Sequence, residues 1–209
     1  MIKEIELLVL EKMNVDLRKK TPKEIVEWAI SIAQAPVITT NFRPFEAAIL
    51  HAVTQVAPEI TVIWCDTGYN TQNTYRHAES TIEQLNLNVD LFIPQKTAAH
   101  RDAVLGIPEV DTPEHSEFTR QVKLEPFARA MKKYSPDVWF TNLRQDQTAF
   151  RSNLDILSQS ADGVLKVSPF FYWTDVEMQK YIDLNELETE DRYYDPTKVL
   201  LNRECGLHT

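Results

Sequence analysis

A mainly parallel, twisted α/β sheet with helices on both faces is the fold this sequence predicts. From residue 36 onward, short β-branched runs alternate with stretches of helical periodicity, the order expected of strand–helix–strand units. Polar clusters recur where the β-branched runs end, and ligands of such sheets bind at the carboxyl ends of the strands. No internal repeat, linker or low-complexity segment interrupts the chain, so residues 1–209 are read as a single domain.

Residues 3–13 place leucine and isoleucine among charges at helical spacing. Thr21-Pro22-Lys23-Glu24 is a capping box with proline at the first helical position, and Ile25, Ala29, Ile32 and Ala33 supply the apolar face. Pro36 closes this helical extension, residues 1–35. Strand signals follow at 37–40, 60–65, 89–93, 137–141 and 163–167. Helices are expected over about 45–57 and 71–86, with helix and loop over 97–135. Thr174-Asp175-Val176-Glu177 caps a last helix reaching about 185. The core thus covers 36–187, and a mobile tail runs from 188 to 209.

Composition narrows the function. Twenty-two basic residues against 31 acidic give a net charge of −9, which argues against nucleic-acid or anionic-membrane partners. No apolar run approaches the roughly 20 residues of a membrane span, and the opening MIKEIELLVLEK is too acidic for a signal peptide. Two cysteines make no disulfide framework, and no CxxC pair offers a zinc site or an iron–sulfur cluster. The expected setting is the reducing cytoplasm.

Three polar segments end strands at one sheet edge. In Thr39-Thr40-Asn41-Phe42-Arg43, hydroxyls and free helix N–H groups suit an anion, although threonine and asparagine are also ordinary helix caps. In Asp66-Thr67-Gly68-Tyr69, Gly68 permits a positive φ or close backbone approach, and Asp66 accepts from a ribose or base; a plain turn has the same look. Arg144, Gln147 and Arg151 share a polar loop entering a helix, and arginine forks fit phosphate and sulfate. Lys123 and Arg120 add charge from a polar helix. Cys65 ends an apolar strand and reads as a core residue, and His51, His77, His100 and His115 lack metal-ligand spacing.

The chain ends Arg203-Glu204-Cys205-Gly206-Leu207-His208-Thr209. A cysteine on a polar terminus, flanked by Arg203 and His208, is either an incidental thiol on a frayed end or a nucleophile whose thiolate the nearby charges favour.

Together these segments resemble the phosphoadenylyl sulfate (PAPS) reductase family, related to the adenylyl sulfate (APS) reductases and to the adenine-nucleotide α-hydrolase-like fold. The resemblance spans about 36–209 and is carried by Asp66-Thr67-Gly68-Tyr69 with Thr74-Tyr75, by Leu143-Arg144-Gln145-Asp146-Gln147 with Arg151, and by the terminal Arg203–His208 motif. It implies a nucleotide-binding core and a catalytic tail whose Cys205 attacks the sulfonate sulfur of PAPS. The resulting S-sulfocysteine would be resolved by thioredoxin or glutaredoxin, releasing sulfite in sulfate assimilation. Thr39, Thr40, Asn41 and Phe42 match the phosphosulfate loop, Asp66, Thr67 and Gly68 the adenosine segment, and Arg144 and Arg151 the arginine loop; Gln147, Lys123, Arg203 and His208 are expected as further substrate-binding residues. Lacking the extra cysteine pairs of the APS branch, the chain is expected to bind no iron–sulfur cluster, although Asp146 is also seen on that branch. A homodimer through residues 1–35 is a further expectation of the resemblance.

Two departures stand out. The family's serine-rich loop has a glycine, whereas this one has none and carries Arg43, which either adds a phosphate contact or obstructs the site. The stretch 188–202 is also short for the family, which bears on how the nucleotide is enclosed. These departures motivate the alternative of a non-catalytic adenylyl-sulfate-binding paralogue, a sensor or sequestering protein. An ATP-pyrophosphatase-type enzyme of the same fold would want a Ser-Gly-Gly-x-Asp-Ser loop, which is missing here.

Overall fold

The structure, a computed structural model, describes residues 7–110 and 112–197. Cys205, Arg203 and His208, and with them the expected mobile tail end, lie outside the described residues. Among the described residues six strands form one sheet in the order β3-β2-β1-β4-β6-β5. They are β1 (Pro36–Thr40), β2 (Thr61–Cys65), β3 (Asn88–Phe92), β4 (Val138–Phe140), β5 (Leu157–Gln159) and β6 (Leu165–Val167). All pairings are parallel except β5 with β6. The antiparallel β5 was not foreseen: the polar loop carrying Arg144, Gln147 and Arg151 forms two 3-10 turns, Gln145–Gln147 and Arg151–Asn153, rather than entering a helix, and β5 follows them.

Among the described residues eight α-helices surround the sheet: α1 (Leu7–Leu17), α2 (Pro22–Ile32), α3 (Glu46–Thr54), α4 (Gln72–Leu85), α5 (Ala98–Val104), α6 (Pro113–Thr119), α7 (Glu125–Tyr134) and α8 (Asp175–Leu184). Both expected capping boxes form. Thr21 accepts from the Glu24 N–H, Thr174 accepts from the Glu177 N–H, and each glutamate reaches back to its cap. The apolar face of α2 is Ile25, Val26 and Ala29. Ile32, expected there, is 40% exposed because the helix ends before completing another turn over the core.

The strands feed two cores, because successive residues of a strand point to opposite faces. Ile38, Val62, Trp64, Val138 and Phe140 join buried residues of α2, α3, α4 and α8 on one face. Val37, Ile63 and Trp139 meet Ala130, Phe127 and Met131 of α7 on the other. Helices therefore cover both faces, and the central strands β2 and β4 are mostly apolar and buried, as a doubly covered parallel sheet requires, while the edge strands β3 (NVDLF) and β5 (LSQ) are more polar and exposed. The chain steps outward from β1 to β3, then returns to the far side of β1 for β4. The carboxyl ends of β1 and β4 consequently flank the crevice where the strand order reverses.

Candidate functional site

A cavity of about 70 Å³ opens at that crevice. Its lining includes Thr39, Thr40 and Asn41 from the end of β1, Thr141 and Asn142 from the end of β4, and Cys65 from the end of β2. Arg43, Lys123 and Arg151 add three cations and Glu46 a carboxylate. Since a water needs only ~10–15 Å³ of such space, the volume suits an oxyanion group but not a whole nucleotide.

The β1–α3 loop reaches its shape without glycine. Phe42 (φ 52°) and Phe45 (φ 66°) both adopt left-handed backbone, a conformation that costs a bulky residue about 1–2 kcal/mol. Burial offsets this at Phe42, whose ring is fully enclosed and meets Trp64 edge-on at 4.9 Å. Phe42 is thus the loop's hydrophobic anchor, and its N–H donates to Thr40 Oγ1 at 3.1 Å. Arg43 neither blocks the cavity nor stands clear of it. Its Nε donates to buried Glu46 at 2.9 Å and its Nη2 to the Asn142 carbonyl at 3.1 Å, stapling the β1 loop to the β4 loop. Asn142 Nδ2 donates to the Phe45 carbonyl at 3.1 Å, and Trp139 Nε1 to Thr39 Oγ1 at 2.9 Å. Asn142 Oδ1 is buried without a hydrogen-bond partner among the described residues.

The two arginines of the polar loop part company. Arg151 is buried and lines the cavity, with Nη1 donating to the neutral Gln147 Oε1. Gln147 also accepts from the Arg144 N–H at 3.2 Å, so it braces Arg151 rather than lining the cavity itself. Arg144 points instead to the start of α8. Its Nη2 donates to Asp175 Oδ1 at 2.5 Å, its Nη1 to the Trp173 carbonyl at 3.2 Å, and its guanidinium lies over the Phe45 ring.

Asp66, Thr67 and Gly68 end β2 at the same sheet edge but outside this cavity. Asp66 Oδ1 accepts from the Gly68 N–H at 2.9 Å and from Asn70 Nδ2 at 2.8 Å, and the Tyr75 hydroxyl donates to the same carboxylate at 3.0 Å. Burial pushes the Tyr75 phenol up to about 12, and the Asp66 charge adds to the shift. Thr67 Oγ1 accepts from the Tyr69 N–H at 3.3 Å, and Gly68 takes the positive φ (82°) that its position required.

Cys65, read as a core residue, also borders the cavity. Burial raises its thiol to about 12, against opposing pulls from Lys123 and Arg129, so at neutral pH it is a protonated thiol and a poor nucleophile. Lys123 sits on a π-helical turn, Arg120–Leu124, between α6 and α7. Such turns shift the helical register and recur at functional sites; here Lys123 is buried against the cavity. Its Nζ donates to Asp195 Oδ2 at 2.5 Å and to Thr197 Oγ1 at 3.3 Å. Sequence reasoning missed Asp195, Thr197 and His115, whose Nε2 lies 3.1 Å from the Pro196 carbonyl oxygen. The one local signal was Asp195-Pro196-Thr197 as a turn. His77 is buried on α4, and His51 Nδ1 lies 2.9 Å from the Tyr181 hydroxyl oxygen. Among the described residues, no group of three or more His, Cys, Asp or Glu is placed to hold a metal ion.

The model of the phosphoadenosine phosphosulfate reductase domain matches residues 35–195, stopping short of the terminal cysteine motif. A phosphoadenosine 5′-phosphosulfate reductase of Vibrio parahaemolyticus is 30% identical, covering 97% of this chain and 87% of its own length. One from Xylella fastidiosa is 33% identical, over 95% and 94% of the two chains. The crystal structure of PAPS reductase from Candida auris, in a phosphate complex, superposes with a TM-score of 0.78 at 19% identity, covering 88% of this chain and 89% of that one. That likeness bears on the fold alone.

Proposed function

This chain belongs to the phosphoadenosine phosphosulfate reductase family, and from that premise we propose that it reduces PAPS to sulfite and adenosine 3′,5′-bisphosphate through Cys205. The observation that carries this reading is a cation-lined cavity at the β1/β4 crevice with the last described residues, Asp195–Thr197, seated on its lysine. Cys205 follows Thr197 by eight residues, which supports a meeting of its thiol with a substrate in that cavity. The other thiol there, Cys65, is held protonated by burial and is unsuited to the attack.

In this mechanism the Cys205 thiolate attacks the sulfonate sulfur. A sulfur–sulfur bond forms, the bond from sulfur to the bridging phosphate oxygen breaks, and its electron pair leaves with the phosphate. Arg43, Lys123 and Arg151 stabilise the negative charge that accumulates on that leaving group. The products are S-sulfocysteine and the nucleotide bisphosphate. A thiolate of thioredoxin or glutaredoxin then attacks Cys205 Sγ and expels sulfite. Its second thiol resolves the mixed disulfide, so both electrons come from the partner dithiol and no resident cofactor takes part. A reducing cytoplasm keeps such a cycle running, and residues 1–35 are the proposed homodimer contact.

The test is to incubate the protein with PAPS or APS without reductant and to locate any added sulfonate by mass. An adduct on Cys205 from PAPS, discharged as sulfite by reduced thioredoxin, is expected. Tight binding of adenosine 3′,5′-bisphosphate with no adduct from either donor would favour the sensor or sequestering reading instead.

A further inference from the structure

Arg101, on α5, is only 3% exposed, and its Nη2 donates to the Lys96 carbonyl at 3.2 Å. Its Nε and Nη1 are buried with no hydrogen-bond partner among the described residues. Its guanidinium lies 5.9 Å from the centre of the Phe118 ring. Burial raises the Tyr69 phenol against an opposing pull from Arg101, so the two groups are neighbours. The Tyr69 hydroxyl nevertheless donates to Asp102 Oδ1 at 2.7 Å and makes no well-formed bond with Nε or Nη1. Arginine keeps its charge at any physiological pH, so a buried guanidinium in this state is costly until an anion meets it.

A cavity of about 210 Å³ is lined by Arg101 with Gln95, Lys96, Arg120, Gln121 and Glu125. Lys96 is exposed and forms no ion pair with a described residue. Glu125, the one carboxylate of the lining, already accepts from Arg129 Nε at 3.0 Å and Nη2 at 3.2 Å, and Arg120 holds Glu117 at 2.7 and 2.6 Å. Three cations therefore converge on this cavity in a chain of net charge −9. The cavity of about 580 Å³ that Arg101 also borders carries Glu109, Glu114 and Glu117, so the field draws an anion to the smaller one.

We infer that Arg101 and Lys96 form a second oxyanion site, distinct from the β1/β4 cavity, that takes a phosphate monoester. Two contacts set it beside the nucleotide segment. A Cβ on Gly68 would lie 3.5 Å from the Ala98 Cβ of α5, and Tyr69 bonds to Asp102 of the same helix. Arg120 and Gln121 also share a π-helical turn with Lys123, which borders the first cavity. The phosphate arrives either on the nucleotide, as the 3′-phosphate that separates PAPS from APS, or free in solution. The first source rests on the PAPS reading and makes Arg101 a specificity residue; the second stands without it.

Calorimetry of the native chain, R101M and K96M with adenosine 3′,5′-bisphosphate, adenosine 5′-monophosphate and inorganic phosphate tests the site. R101M is expected to lose about 10- to 100-fold in affinity for the bisphosphate, and to keep that for the monophosphate within about twofold, because charge-assisted bonds to one phosphate are lost. K96M is expected to shift the same way by less, and its exposed side chain leaves the fold intact. With free phosphate as the ligand, both variants bind the two nucleotides as the native chain does but take up less inorganic phosphate. Phosphate should also raise the melting temperature of the native chain more than that of R101M, whereas a purely structural Arg101 would lower melting equally with and without it. Identical behaviour of K96M and the native chain toward both nucleotides and phosphate overturns the site, whether or not R101M folds. A native chain that binds neither nucleotide overturns the PAPS reading, and the phosphate measurement then decides the site alone.

Discussion

Cys65 and Arg144 each hold a position that their residue type alone misdescribes. Cys65 borders a cavity lined by three cationic side chains, yet burial lifts its thiol to about 12, so thiolate is scarce at neutral pH. Native protein treated with iodoacetamide at pH 8 is expected to carry no label on Cys65 by peptide mass, and C65A should keep full sulfonate transfer; rapid labelling would contradict the assignment. Arg151 and Arg144 belong to one loop but face different tasks. Charge-assisted hydrogen bonds are worth about 1.5–3 kcal/mol, so R151M should weaken adenosine 3′,5′-bisphosphate binding by roughly 10- to 100-fold in calorimetry. R144M should lower the melting temperature while leaving that affinity within about twofold, because its bonds go to Trp173 and Asp175. Equal losses of affinity from the two variants would refute the division of labour.

Among the elements, α1 closes the open edge of the sheet at β5. Asn14 acts there as a substitute strand: the Leu157 N–H donates to Asn14 Oδ1 at 2.8 Å, and Asn14 Nδ2 donates to the Leu157 carbonyl at 3.0 Å. Both bonds are buried, and covering an edge in this way blocks pairing with another chain. N14A strands a buried donor and a buried acceptor, so chemical denaturation should show a loss of about 2 kcal/mol or more. A change below about 0.5 kcal/mol would mean that water replaces the asparagine. The arginine-loop segment behaves differently from its sequence signal. Its polar residues suggested a helix entry, but Gln147 and Thr148 hydrogen-bond back to Arg144 and Arg151 and hold 3-10 turns that lead into β5.

For the whole molecule, stability just below neutral pH depends on two histidines, His51 partly buried and His77 buried. Burial holds His51 below its ordinary 6.5, and it does the same for His77 against the opposing charges of Glu188 and Glu190. The unfolded chain therefore takes up these protons first, and stability falls as the pH drops below about 6.5 toward the lowered folded values. The melting temperature at pH 5.5 is expected below that at pH 7.5; a flat or rising profile would contradict this. The order of elements as far as β4, both capping boxes and the three strand-end clusters were legible in the sequence, because periodicity, caps and turn residues are local physics. The site's wiring was not. Lys123 meets Asp195 across 72 residues, Arg43 meets Asn142 across 99, and Arg144 meets Asp175 across 31 while Arg151 turns to Gln147. Sequence by itself determined an α/β chain of this family with an anion-seeking strand edge and a cysteine near its end. Only the tertiary structure decided which cations line the cavity and where the tail is pinned, because those pairings depend on strand order and on a π-helical turn that bring residues distant along the chain into contact.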